Sequence, residues 1–238
     1  MSALASEPST RCALVDLSHD VWQDMLIHHW MPKPVIHDYI SREQSAKFLE
    51  GGVSFQQVHV TIAGSTGTIL QVPFQFHADG PDLATMPLEK LVDVPVVVID
   101  AVGMPEIGPE VFDGQDDLAG KAVLFRTGQD RLWQTEEYYE NTCYLAGATI
   151  KHLAKAGPAL IGVDSKNTDC GTDQGKPAQH ELLGAGMGVL TSLTRLDQLP
   201  KRGALLTVLP PRVVGMSSFP VRVVAVVPEG ADTEGAGR

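Results

Sequence analysis

The sequence predicts an α/β fold: a single domain with a mixed, partly barrel-like central β-sheet and few flanking helices. Three observations carry this expectation. The 238 residues are 43% hydrophobic and 20% charged, an ordinary globular composition long enough for one sizeable core. Short β-rich segments outnumber helical ones. Most of them follow one another with no helix between, which argues against a regular doubly wound sheet.

In chain order, residues 1–12 read as a small, polar tail, residues 13–228 as the domain, and the Gly- and acid-rich 229–238 as a second, disordered tail. ALVDLSHDV (13–21) reads as a first strand. The stretch 22–39 is irregular, because Pro32 and Pro34 would break a helix. Ser41 is a plausible N-cap for a short helix over 41–52 that Gly51-Gly52 would close. VSFQQVHVTIAG (53–64) alternates like a strand, and 67–80 is a strand that Pro73 interrupts. Buried strands are expected at 95–103, 121–128 and 159–165. The clearest helical region is 136–157, with Ile150, Leu153 and Ala154 on one face and Gly157 at its end. Residues 203–214 and 219–227 close the sheet.

Charge and motifs exclude several classes. A formal net charge of −11 opposes nucleic-acid binding and docking on anionic membranes. No apolar run is long enough to span a bilayer, and no signal peptide is visible. The three cysteines, Cys12, Cys143 and Cys170, have no CxxC spacing, so a reduced, cytoplasmic protein is expected. Phosphate loops, a GxSxG elbow and HExxH are all missing, and Gly184-Ala185-Gly186-Met187-Gly188 reads as a tight turn. Of the eight histidines, His77 in HADG and His180 in HELLGAG lie near turn-like residues and are the better site candidates. His28 and His29, on an extended segment, would point in opposite directions. Asp164, Ser165, Asp169 and Cys170 lie beyond a strand end, where α/β proteins place functional groups.

Several stretches together resemble the cyclase family of kynurenine formamidases and isatin hydrolases. They are VDLSH (15–19), GTILQVPFQFHADG (67–80) followed by MPLEKLVDVPVVVID (86–100), the segment FRTGQDRLWQTEEYYENTCYL (125–145), and the C-terminal 180–215 and 219–227. The resemblance spans nearly all of 13–228. It implies the family fold and a homo-oligomer, a homodimer or homotetramer.

The family's metal motif, HxGTHxDxPxH, is framed here by Gly67, Thr68 and Pro73. In that frame its ligand positions hold Ser65, Ile69 and Gln71, and its acid–base histidine falls on Gln75. A further histidine ligand corresponds in this reading to His180, and a glutamate to Thr191. One imidazole without a carboxylate does not hold zinc or manganese, so no metal and no other cofactor is expected. The expected activity is that of a metal-independent, cyclase-like enzyme on a small metabolite in specialised biosynthesis. It would catalyse ring closure, isomerisation or dehydration by acid/base and hydrogen-bond catalysis.

His180 is the expected base, with Gln71 and Gln75 orienting a carbonyl. Ser65, Ile69, Thr191 and His77 are expected to line the pocket, with Trp22, Trp30 and His29 on a covering loop. Two alternatives stand beside this reading: an amide or lactone hydrolase with a relocated metal, and a non-catalytic binding subunit.

Overall fold

The structure is a computed structural model that describes residues 12–115, 117–140 and 143–229. The expected tails fall almost entirely outside the described residues, although Cys12 already pairs within the first strand. The strands are β1 (Cys12–Asp16), β2 (Val35–Ile40), β3 (Gln57–Thr61), β4 (Ile69–Gln71), β5 (Val94–Asp100), β6 (Glu106–Ile107), β7 (Ala122–Arg126), β8 (Tyr144–Leu145), β9 (Leu160–Val163), β10 (Gly188–Thr191), β11 (Arg202–Val208), β12 (Ser218–Pro220) and β13 (Val223–Pro228). Among the described residues the α-helices are α1 (Arg42–Ser45), α2 (Glu136–Glu140), α3 (Gly147–Ala156) and α4 (Pro177–Gly184).

Nine strands form one mixed sheet in the order β1-β13-β11-β5-β7-β9-β10-β4-β12. Its centre, β5-β7-β9-β10, is parallel, and antiparallel strands extend it on both sides. The expected mixed sheet with few helices is therefore the observed architecture. Parallel strands are covered on both faces, and β9 and β10 are buried throughout. Side chains alternate across β5: Val96 and Val98 pack with Leu70, Leu124 and Leu160 on one face. Val97 and Ile99 pack with Phe125, Leu153 and Leu182 on the other, under α3 and α4.

Local chemistry explains most element ends. Ser41 caps α1 in a capping box with Gln44, but the helix stops at Ser45, well before Gly51. Pro73 ends β4 and begins a short 3-10 turn to Gln75. Gly157 terminates α3 in the left-handed conformation. Gly67 has φ +69°, and a Cβ there would lie 2.8 Å from Val21 Cγ2, so the turn into β4 requires glycine.

Three expectations are corrected. The single helix over 136–157 is two helices separated by β8, which pairs in parallel with β6. Thr149, not Ala154, completes the buried face of α3, donating its hydroxyl to the Ile107 carbonyl at 2.7 Å. The irregular 22–39 stretch ends in β2, which forms an antiparallel hairpin with β3.

Candidate functional site

The antiparallel pairing of β4 with β10 sets Ile69 opposite Thr191 and Gln71 opposite Val189. The motif frame and the C-terminal ends of β9 and β10 thereby meet. A cavity of about 560 Å³ opens there. Ser65, Ile69, Gln71, Gln75 and Thr191 all line it, as does Trp30, so the structure gathers six of the expected site residues around one space.

It does not bring His180 with them. Asp169, buried at the start of α4, accepts the Ala178 N–H at 2.6 Å and the Gln179 N–H at 3.0 Å. That anchorage turns Gln179 into the cavity, and one residue further on is a rotation of about 100° around the helix. His180 is therefore exposed. Its ring lies 4.8 Å from that of His77 and 6.0 Å from that of Phe76, and its carbonyl meets His77 Nε2 at 2.9 Å. Neither His77 nor His180 lines the cavity, which corrects the placement expected for both. Trp22 and His29 are also outside the lining. The His29 ring packs 4.4 Å from that of His28, and His28 is the member of the pair that faces the cavity.

Gln179 Nε2 donates to Gln71 Oε1 at 3.0 Å, and both residues are buried. The positions that the motif frame would give to a metal thus hold an amide–amide pair, an isoleucine side chain and hydroxyls. Ile69 has no lone pair to offer. Gln71 already spends its oxygen on Gln179, and the amide and hydroxyl oxygens are neutral. Among the described residues no group of three or more His, Cys, Asp or Glu side chains could hold a metal ion. The donor set does not fit a divalent ion.

What the cavity offers instead is hydrogen bonding and a histidine. Three of its lining residues carry a buried polar atom with no hydrogen-bond partner among the described residues: His28 Nδ1, Thr66 Oγ1 and Trp133 Nε1. Leaving a buried polar atom unpaired costs free energy, so these three are hydrogen-bonding groups that water or a ligand in the cavity would satisfy. Burial first, then the charges of Lys166 and His29, push His28 below the usual imidazole range. This favours its neutral, proton-accepting form. Tyr139 donates its hydroxyl to the Leu26 carbonyl at 2.8 Å and is pushed up to about 12 by burial, so it positions the loop rather than titrating.

The strand-end acids, by contrast, serve the backbone. Asp164 accepts the N–H groups of Thr127 and Gly128 and the Thr127 hydroxyl. Burial pushes it up to about 6 against the pull of those bonds. Cys170 does not line the cavity. Sequence reasoning missed His28, Gln179 and the lysines Lys166 and Lys176, which also line it. The twelve-residue step from Gln179 to Thr191 spans helix and strand, and no local spacing distinguishes residue 179 from its neighbour.

A mixed sheet that gathers a polar cavity at strand ends around a GT…P frame defines a cyclase-type fold with an altered centre. The chain belongs to the cyclase family: the family model described as putative cyclase matches residues 15–170. It is 30% identical over 159 residues to a kynurenine formamidase of Salinibacter ruber, covering 67% of this chain and 74% of that protein. Its fold is also similar to isatin hydrolase A from Labrenzia aggregata, with a TM-score of 0.79 and 24% identity over 92% of this chain and 94% of that one. Isatin hydrolase A from Ralstonia solanacearum gives 0.76 and 21% over 94% and 100%.

Proposed function

We propose that this chain is a metal-independent member of the cyclase family that moves protons on a small conjugated carbonyl compound. Ring closure, isomerisation and dehydration are the reactions such a site suits. The observation that carries the reading is the cavity itself: amides and hydroxyls stand at the motif's ligand positions, yet the lining keeps buried polar atoms unpaired. His28 is the acid–base group of this reading, since a neutral imidazole is matched to proton transfer near neutral pH. Gln71, whose oxygen accepts from Gln179, keeps its two N–H donors for a substrate carbonyl. Such chemistry suits a biosynthetic step whose substrate arrives already activated.

The test is elemental analysis together with activity. Protein purified without chelator is expected to carry well under one zinc or manganese per chain. Chelator should leave its melting temperature unchanged, because no bound ion contributes ligand-linked stability. Chelated protein should still exchange solvent deuterium into conjugated dicarbonyl compounds, followed by NMR. A stoichiometric metal, or isatin hydrolysis that appears on adding manganese, would favour the relocated-metal hydrolase instead. A protein that exchanges and converts nothing would favour the non-catalytic binding subunit.

We also propose that the chain assembles as a homodimer or homotetramer, and the hairpin supports this. Val35, Tyr39, Val58 and Val60 of β2 and β3 are exposed, as are Phe48, Val53 and Phe55 between them. So much exposed apolar surface on one arm is characteristic of an interface. Light scattering at micromolar concentration is expected to give a dimer or tetramer. Tyr39→Lys with Val60→Lys should shift it toward monomer, and a wild-type monomer would contradict the proposal.

A further inference from the structure

The cavity's charge runs against that of the chain. The protein carries −11 overall, yet among the described residues no Asp or Glu lines the cavity while Lys166 and Lys176 both do. Among the described residues neither lysine is in an ion pair; the pairs are Lys121–Asp117, Arg126–Asp100 and Arg222–Asp16. Both are tethered through backbone carbonyls. Lys166 Nζ donates to the Tyr139 carbonyl at 2.8 Å, and Lys176 Nζ reaches the carbonyls of Cys170 at 3.2 Å and Gly171 at 3.5 Å. An ammonium has three donors, so these bonds fix each head group and leave donors over. Asp169 lies near enough to Lys176 to feel its charge, yet its oxygens accept the N–H groups at the start of α4 and form no ion pair with the lysine. Burial and, secondarily, the charge of Lys176 pull Lys166 below the ordinary lysine range. The two cations thus stand near enough to repel each other in a part-buried setting: the charge of Asp169 offsets part of that of Lys176, and among the described residues Lys166 has no carboxylate in an ion pair with it.

The walls beside them are flat and apolar. Trp133 and Tyr139 line the cavity with Ile69, and Lys166 Nζ lies 5.8 Å from the centre of the Tyr139 ring. We infer that the cavity binds a small planar organic anion, its carboxylate or enolate held between Lys166 and Lys176 and its conjugated ring against Trp133 and Ile69. The inference rests on the reading of this cavity as the active site and adds the substrate class to it. An anion there satisfies the spare lysine donors and relieves their mutual repulsion. Hydrogen bonds to ionised groups are the stronger ones in a partly desolvated site, so charge is the property by which this cavity selects.

The test measures binding, independently of turnover and of metal content. Isothermal titration compares 1-naphthoate with 1-naphthamide, which share ring and size and differ in charge, and with inorganic phosphate. Wild type is expected to bind naphthoate about tenfold or more tightly than the amide and to bind phosphate more weakly than naphthoate. Lys166→Met with Lys176→Met should bring acid and amide to parity, while the Lys→Arg pair should keep the preference. Because Lys166 also ties down the Tyr139 carbonyl, Lys176→Met alone is the second variant and should lose most of the preference with its melting temperature intact. Equal affinity of wild type for acid and amide, a preference that survives in the double Met variant, phosphate binding as strong as naphthoate, or no binding of either naphthalene would each overturn the inference. None of these outcomes depends on whether the protein is catalytic or metal-free.

Discussion

Replacing His28 with alanine is expected to lower turnover by about 10²–10⁴, the usual loss when a positioned acid–base group is removed. The imidazole lines the cavity. Its Nδ1 is buried without a partner among the described residues, and burial with the nearby Lys166 and His29 charges holds its pKa low. The ring is held edge-on to Trp30 at 5.1 Å and to Tyr139 at 6.4 Å between centroids, so it is positioned before substrate arrives. The pH profile separates a chemical role from a structural one. The limb that reports the base in the wild-type rate should lie below the usual imidazole value and vanish in His28→Ala, while the melting temperature stays close to wild type. His180→Ala serves as the control: the residue is exposed and faces His77, so its turnover should be near wild type. Gln71→Ala should fall between the two, about 10- to 10²-fold down, through lost orientation of a carbonyl. Wild-type turnover in His28→Ala together with a collapse in His180→Ala would return the chemistry to the position expected from the sequence.

The contrast between His28 and His180 shows where the sequence is informative. The frame residues Gly67, Thr68 and Pro73 act through the backbone: a left-handed turn, a hydroxyl that accepts the His19 N–H and donates to the Ser192 carbonyl, and a strand end. Such roles leave fixed marks at fixed spacing, so the positions of Ser65, Ile69, Gln71 and Gln75 around one cavity were legible. The apolar runs of β5, β7 and β9 were legible for a similar reason, since burial on both faces demands continuous apolar residues.

Helix α4 left no such mark. Its first residue is Pro177 and its apolar positions are few, so the sequence around His180 shows only the turn-like residues of HELLGAG and no helical period. Which of Gln179 and His180 faces inward is decided by Asp169, ten residues before Gln179 and engaged through backbone N–H groups. Lys166 and Lys176 sit on a polar loop where charged side chains are normally solvated. Only the folded chain shows that both line the cavity and that, among the described residues, neither forms an ion pair. His28 lies in a segment with no period to assign it a side.

Below pH 6.5 the protein is expected to lose stability through His19, and His19→Phe should remove that part of the loss. The His19 ring stacks on Trp133 with centroids 4.0 Å apart and an interplanar angle of 7°. Its Nε2 is buried without a partner among the described residues. Burial pushes its pKa down from 6.5 to about 4, with Asp130 and Asp20 opposing and Arg195 assisting. A base whose folded pKa is depressed binds fewer protons folded than unfolded. Its contribution is therefore fully present above 6.5 and is lost as pH falls toward 4. Because the ring keeps some contact with solvent, the loss is discounted to about 1–2 kcal/mol, or roughly 2–8 °C in melting temperature for a chain of this size. Asp164 acts in the opposite sense. Its carboxyl is raised from 3.8 to about 6, so the folded state takes up its proton first and gains stability as pH falls through that window. The wild-type curve alone mixes the two effects, whereas the difference between wild type and His19→Phe isolates the histidine, since phenylalanine keeps the stack on Trp133 and cannot be protonated. Melting temperatures between pH 7.5 and 4 should diverge, with the variant falling less steeply below 6.5. Parallel curves across that range would show that the ring is protonated in the folded protein without cost and that its burial against Trp133 does not exclude the charged form.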